Sequence, residues 1–149
     1  MTNANQAGEA AIRAVLRQLD DAYKERDLEG FLSCFSDDIV VMPPGREPVV
    51  GSGAWRAMMT RMFEATTISQ VEFTVDEIVI VGDWAFERHL DSAVYTPNAG
   101  GDSRHLFNKG IFILRRQPDN DWKIARYVWN GNPAPAGAEE ATAASPPRP

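Results

Sequence analysis

The chain has little of what several classes of protein require. Cys34 is its only cysteine, so no disulfide can form within the chain. No apolar run approaches the roughly 20 residues of a membrane-spanning helix. The segment from Met1 to Glu9 is polar and lacks the apolar core of a signal peptide. We therefore expect a cytoplasmic protein with no membrane partner.

Positive charge and cofactor-binding motifs are also scarce. The 15 Lys and Arg residues are outnumbered by 21 Asp and Glu residues, which gives a net charge of −6. Proteins that bind nucleic acid need clustered Lys and Arg, so no nucleic-acid partner is expected. The 2 histidines lie far apart without a metal-binding helical spacing, and Gly51-Ser52-Gly53 lacks the length and the lysine of a phosphate loop. The sequence predicts neither a metal nor a cofactor.

What remains has the composition of an ordinary globular domain. Of the 149 residues, 44% are hydrophobic and 24% are charged. A chain of this length folds around a single core. Residues 132–149 are rich in proline and alanine and have almost no large apolar side chain, so they predict a disordered tail. We expect a flexible segment at 1–8 and one folded domain at 9–131.

Apolar residues recur at helical spacing in the first half of the chain. The first helix is predicted from about Gly8 to Glu25, and Asp27 is the expected N-cap of a short second helix. A third helix follows Gly53. Two short strands, at 39–42 and 46–50, are predicted between the second and third helices.

From Ile68 onward the apolar pattern changes to a period of two, which is typical of strands. The predicted strands are at about 68–81, 84–96, 104–116 and 121–130. This order of elements predicts an α+β fold. In it, a cone-shaped, curved and mostly antiparallel sheet wraps around about three N-terminal helices. Such an arrangement encloses a pocket at its open end.

Three passages give the chain a resemblance to a known superfamily: residues 27–44, 81–85 and 115–131. In this order they resemble the SnoaL-like, or nuclear transport factor 2-like (ketosteroid isomerase-like), superfamily over about residues 9–131. The closing hairpin is also similar to the association domain of calcium/calmodulin-dependent kinase II. The resemblance implies the same fold and a homodimer formed through the outer face of the sheet. It does not imply one activity, because this fold hosts isomerases, hydrolases, cyclases, dehydratases and binding domains.

Residues that carry activity in those relatives are missing here. Where a ketosteroid isomerase has a tyrosine on its first helix, this chain has Leu19. The position of the aspartate base is occupied by Pro43, and the second oxyanion donor falls near Phe112 or Ile113. The comparison therefore implies no steroid isomerisation by that route. The pocket arginines of the kinase association domain are replaced by Ser92, Ile111 and Trp129.

Candidate catalytic residues follow from strand alternation, if the apolar set of each strand faces the helices. This places Arg88 on the inner face, where a guanidinium needs a carboxylate, the pocket mouth or a ligand. It also places Lys109 inward as a cation or a base, and Tyr127 inward as a hydroxyl donor. The competing interpretations are a structural ion pair for Arg88, a solvated lysine and plain core packing of the tyrosine.

The same faces define the expected pocket and dimer surface. His89 lies between Glu87 and Asp91 at alternate positions, which suits acid–base chemistry but equally a solvated face or a dimer contact. A β-bulge that shifted a strand by one residue would exchange the faces. The predicted dimer face contains His89, Phe112 and Val128. The predicted pocket walls are Tyr23, Met42, Trp55, Met58, Phe86, Ile111 and Trp129.

The sequence thus predicts a SnoaL-like protein that binds a small apolar organic molecule. The expected activity is that of a cofactor-independent enzyme of the isomerase, cyclase or hydrolase type. Its substrate would be an apolar carbonyl or carboxylate compound, and it lacks the ketosteroid isomerase catalytic residues. The alternative is a non-catalytic dimerisation or ligand-sensing domain whose cone is filled by side chains.

Overall fold

The computed structural model describes residues 2–137, so most of the predicted tail lies outside the described residues. The helices are α1 (Asn3–Glu25), α2 (Leu28–Leu32) and α3 (Ser52–Ala65). The strands are β1 (Phe35–Met42), β2 (Val49–Val50), β3 (Thr66–Val81), β4 (Trp84–Pro97), β5 (Arg104–Arg116) and β6 (Trp122–Gly131).

The strands form one 6-stranded sheet in the order β2-β1-β6-β5-β4-β3. All neighbours are antiparallel except β1 and β6, which run parallel. Register shifts along β3 bend the sheet, as β-bulges do. The helices pack on the concave face of this sheet, where the buried core lies. The predicted α+β class and curved sheet are confirmed.

The helix α1 begins at Asn3, earlier than the predicted start near Gly8. The hydroxyl of Thr2 accepts a hydrogen bond from a backbone N–H of the first turn and caps the helix. Gly8 is a buried interior residue of the helix, not its start. A Cβ at this position would lie 3.0 Å from the Ile80 side chain, so the glycine lets α1 approach β3 closely.

The turn between α1 and α2 is fixed by two neighbouring residues. Arg26 adopts a left-handed conformation, with φ of 58°, and ends α1. Its guanidinium donates to the backbone carbonyls of Phe63 and Thr66, where α3 passes into β3. Asp27 caps α2 by accepting from the Gly30 N–H at 3.0 Å, which confirms the predicted N-cap.

Cross-strand pairing shows which β4 and β5 residues face the helices. Glu87 pairs with Phe112, and His89 pairs with Gly110. Glu87 and His89 are both 0% exposed, and Phe112 is 3% exposed. These residues lie on the inner face, so the predicted dimer-face position of His89 and Phe112 is wrong.

The outer face of β4 and β5 carries the residues that the sequence assigned to the interior. Phe86, Leu90 and Ile111 are 38%, 43% and 39% exposed. The expectation failed because it assumed that the more apolar set must be buried. Here the buried set includes a carboxylate and a histidine that bond to each other, while the apolar set faces outward. The predicted inward positions are therefore wrong for Phe86, Arg88, Lys109 and Ile111, and Met42 is also 40% exposed outside the core.

The strand β6 has the predicted orientation because of a bulge. The β5–β6 register shifts by one residue at Ala125, which has no partner on β5. Beyond it, Tyr127 pairs with the buried Phe112, so its side chain shares the inner face, and Trp129 follows two residues later. Val128 pairs with the exposed Ile111 and shares the outer face.

Candidate functional site

Helices α1 and α3 and the concave face of the sheet enclose a cavity of about 150 Å³. An apolar cavity of about that volume binds benzene in another protein. This cavity is therefore large enough for one six-membered ring. Among the residues that the sequence assigned to the site, the ones lining it are Tyr23, Trp55, Met58, Tyr127 and Trp129.

One wall of the cavity comes from α3. Helical spacing brings Met58, Met59 and Met62 to the same face of this helix, next to the indole of Trp55. Methionine side chains are flexible and polarizable, so they adapt to ligands of different outline. We therefore expect this wall to accommodate ligands of different shape.

The centre of the polar wall is His89. Its Nδ1 lies 2.8 Å from Oε2 of Glu87, and its Nε2 lies 3.7 Å from Oδ2 of Asp91. An ionised Glu87 can only accept, and its hydrogen bond then holds the imidazole proton on Nδ1. The Nε2 atom is then the proton acceptor, on a residue that lines the cavity. Burial raises the pKa of Glu87.

The imidazole ring packs against two aromatic rings that also contact each other. The ring centres of Phe73 and Phe112 are 4.8 and 4.6 Å from its own and 6.3 Å apart. Gly110 lies opposite it on β5, and a Cβ there would come within 2.4 Å of Nε2. Only glycine permits this approach, because any other side chain would displace the ring.

Two tyrosines from different elements meet across the cavity. The hydroxyls of Tyr23 on α1 and Tyr95 on β4 are 2.9 Å apart and hydrogen-bonded. Burial raises the pKa of Tyr23 well above its ordinary value, with smaller contributions from Tyr95 and Asp91. Burial also raises the pKa of Tyr95. Both phenols therefore stay protonated, and one hydroxyl hydrogen remains free beyond the bond between them.

Asp91 and Tyr127 complete the polar wall. Oδ1 of Asp91 accepts a hydrogen bond from the Asn108 amide at 2.9 Å. Tyr127 stacks on Trp129, with ring centres 4.6 Å apart. Burial raises the pKa of Tyr127 well above its ordinary value, and the charge of Asp91 adds to this effect. The tyrosine is a neutral wall of the cavity at physiological pH.

Several buried polar atoms have no hydrogen-bond partner among the described residues. Three belong to residues that line the cavity: Oδ1 of Asp20, Nε2 of His89 and Nε1 of Trp55. Buried polar atoms in native proteins are almost always paired, so each exception needs an explanation. A ligand bound in the cavity is one such explanation.

The predicted catalytic residues are not brought together. Only Tyr127 lines the cavity. Arg88 lies on the outer face, where it forms ion pairs with Asp76 at 3.0 Å and Glu77 at 3.1 Å. This geometry matches the competing structural interpretation of the arginine. Lys109 is exposed on the same outer face.

Sequence reasoning did not place His89 at the cavity, although two signals were present. The acids at alternate positions around the histidine mark one strand face, and Gly110 is a glycine inside a predicted strand. Within residues 2–137, no group of three or more His, Cys, Asp and Glu residues has the arrangement of a metal site. In the same range, no helix is long and apolar enough to cross a membrane.

Comparison with known proteins gives a family match. The family described as "SnoaL-like domain" matches residues 15–127. A search of the curated proteins gives no match.

Solved structures share the fold. A ketosteroid isomerase-like protein from Erwinia carotovora atroseptica SCRI1043 is 26% identical, with 84% of this chain and 96% of that chain covered and a TM-score of 0.76. A conserved protein from Planctomyces limnophilus DSM 3776 is 30% identical, with 85% and 99% covered and a TM-score of 0.76. A protein from Novosphingobium aromaticivorans DSM 12444, provisionally named as a scytalone dehydratase, is 16% identical, with 89% of each chain covered and a TM-score of 0.78.

Proposed function

Because the chain belongs to the SnoaL-like domain family of the nuclear transport factor 2-like superfamily, we propose that its cavity is the active site of a cofactor-independent enzyme. The substrate is a small, largely apolar one-ring carbonyl compound, and the reaction is proton transfer next to the carbonyl. One observation carries this proposal. His89 is one of the residues that line an apolar cavity, is held by Glu87 on one ring nitrogen and has no hydrogen-bond partner on the other.

The first step uses His89 as a general base. Nε2 takes a proton from the carbon next to the substrate carbonyl, and the electron pair of the broken C–H bond forms a C=C bond. The carbonyl π electrons move to oxygen, which becomes an oxyanion. The free hydroxyl hydrogen of the Tyr23–Tyr95 pair donates to this oxygen. The imidazolium that forms is stabilised by Glu87 on one side and Asp91 on the other.

The second step returns the proton from the imidazolium. Delivery to a different carbon gives an isomer. Delivery to a hydroxyl on the next carbon releases water and leaves a double bond. The second route accords with the provisional dehydratase name of one similar structure. Both routes need a proton donor and acceptor shielded from bulk water, and the buried His89 provides that environment.

Proton transfer can be tested without knowing the natural substrate. Cyclohexanone and acetophenone fit a one-ring cavity, and exchange of their α-hydrogens in D₂O is visible by proton NMR. We expect the protein to accelerate this exchange, and His89→Gln to lower the rate about 100-fold, within the range of general acid–base catalysis.

Arg88→Gln is the matched control, because Arg88 is next to His89 on the same strand but its side chain lies on the outer face of the sheet, away from the cavity. This variant is expected to retain the exchange rate. Full exchange by a folded His89→Gln variant would contradict the role of the histidine. Absence of any acceleration by the unmodified protein would contradict proton transfer itself.

We further propose that a second copy of the chain covers the outer face of the sheet. Cross-strand pairing puts Phe86 beside Ile113, and Ile111 is two residues away on the same face. With Trp84 and Leu90, these side chains are 37–43% exposed. Contiguous exposed apolar surface marks a protein interface. Arg88 lies beside Ile111 on this face, and its charge is compensated there by Asp76 and Glu77.

A further inference from the structure

The charged groups that line the cavity are of one sign. Asp20, Glu72 and Asp91 contribute carboxylates. Among the described residues, no lysine or arginine side chain lines this space. The cations that the sequence assigned to the pocket, Arg88 and Lys109, lie on the opposite face of the sheet. An anionic ligand would therefore meet carboxylates without a permanent positive charge.

Of the three unpaired polar atoms on residues that line the cavity, those of Asp20 and His89 are acceptors and that of Trp55 is a donor. Asp91 uses Oδ1 for the Asn108 amide, and its Oδ2 faces Nε2 of His89 at 3.7 Å. Asp20 uses Oδ2 for Lys24 at 2.6 Å, whereas its Oδ1 is buried without a partner. A ligand that satisfies these atoms must bring hydrogen-bond donors.

The apolar walls are suited to a cation as well. Tyr23, Trp55, Tyr127 and Trp129 all line the cavity with aromatic rings. The faces of such rings attract ammonium groups, and the attraction is larger where water is excluded. Tyr127 is the most enclosed of these phenols, and the negative charge of Asp91 reaches it. The aromatic rings and the carboxylates therefore both favour a positively charged ligand.

We propose that the ligand of this cavity is a one-ring compound that carries a protonated amine, and that the cavity rejects carboxylates. An ammonium group has three donors and no acceptor, which matches the free carboxylate oxygens. The inference rests on the proposed function for the location of the ligand, and it deepens that function by naming the charge of the substrate.

The test compares three one-ring probes that differ in charge. Benzylamine is a cation at pH 7, benzyl alcohol is neutral, and benzoate is an anion. Dissociation constants are measured by calorimetry on the full chain at low salt. We expect benzylamine to bind at least about tenfold more tightly than benzyl alcohol, a ratio that corresponds to about 1.4 kcal/mol. Benzoate is expected to bind more weakly than both.

Two variants locate the source of the preference. Asp91→Asn removes one charge and keeps an oxygen that can accept from Asn108, and it should lower the amine preference severalfold. Asp20→Asn gives a second measurement if the first variant does not fold. Asp102→Asn removes the same charge at an exposed position that does not line the cavity, and it should leave the preference unchanged.

The outcomes separate this inference from the proposed function. Binding of benzoate as tightly as benzylamine, or no preference for benzylamine over benzyl alcohol, would overturn the amine inference and leave a ring-binding cavity. An amine preference that both cavity variants retain would also overturn it. Failure of all three rings to bind would count against the proposed ring-binding site as well.

Discussion

His89 and Gly110 face each other across β4 and β5, and each limits what the other can be. The imidazole reaches its position only because the opposite residue has no side chain. Glu87 then bonds to Nδ1, and Phe73 and Phe112 pack against the ring. A titratable group fixed by these contacts keeps one orientation, which is what a proton acceptor needs.

Substitution of Gly110 by alanine tests this arrangement. The added methyl group would come within 2.4 Å of the His89 Nε2 and 3.2 Å of the Val128 carbonyl oxygen. Overpacking of this kind costs about 1–3 kcal/mol. We expect Gly110→Ala to lower the free energy of unfolding by that amount, measured by urea titration.

Gly131→Ala is the matched control for this experiment. It changes another β-strand glycine, but nothing lies within 4 Å of its Cβ position. Its effect should stay within about 0.5 kcal/mol. Equal stability of the two variants would show that the close approach to the imidazole is not needed.

At the scale of elements, the sequence predicted the strands but not which face of each strand is buried. The strand bounds agree within a few residues, because the period-2 pattern and the Gly82-Asp83 turn are local signals. The face of β4 depends instead on the pairing of Glu87 with His89 and on what covers the outside of the sheet. The hydrophobicity of the residues predicts neither the Glu87–His89 pair nor the covering of the outer face. The orientation of β6 agreed because Tyr127 and Trp129 are large aromatic side chains that pack, partly buried, against the core.

The outer sheet face gives a prediction about assembly. Ile111 is 39% exposed on the surface that it forms with Phe86 and Ile113. A lysine there would place an unpaired charge inside the proposed interface, which is costly. We expect Ile111→Lys to convert a dimer to a monomer in sedimentation equilibrium.

Ala14→Lys is the control, because residue 14 is exposed on α1, on the opposite side of the molecule from the outer sheet face. This variant should remain dimeric. A monomeric unmodified protein would contradict the proposed interface, and so would a dimer that survives the change at Ile111.

At the scale of the whole molecule, the order of elements was sufficient for the fold, and three passages of the sequence were sufficient for the family. The site depends on contacts between distant residues. Tyr23 and Tyr95 are separated by 72 positions, and no local pattern predicts that their hydroxyls meet. The sequence comparison found no hydroxyl donor on the first helix because it aligned Leu19 with the tyrosine of the relatives. The structure shows the hydroxyl of Tyr23 one turn further along the same helix.

The buried tyrosines give the molecule a characteristic response to alkaline pH. All 3 tyrosines of the chain have a pKa raised by burial. A pKa that is higher in the folded than in the unfolded state contributes stability below the ordinary value of about 10, and this contribution is lost as the pH rises through the folded pKa. We therefore expect little tyrosinate absorbance from the native protein at about pH 10, where free phenol is about half ionised.

The same titration in urea supplies the control, because unfolding returns each phenol to its ordinary pKa. The tyrosinate signal of the native protein should appear together with loss of tertiary structure above that pH. Superposition of the native and unfolded titration curves would show that the tyrosine hydroxyls are accessible to water, and would contradict a shielded cavity.

We propose that ligands bind at the concave face beside His89, not at the outer face that carries Arg88. An NMR titration of isotope-labelled protein with acetophenone distinguishes the two faces. We expect the shift changes to concentrate on His89, Tyr127 and Trp129, while Arg88 and Lys109 stay unaffected. Changes centred on Arg88 and Lys109, with the His89 signals unmoved, would contradict it.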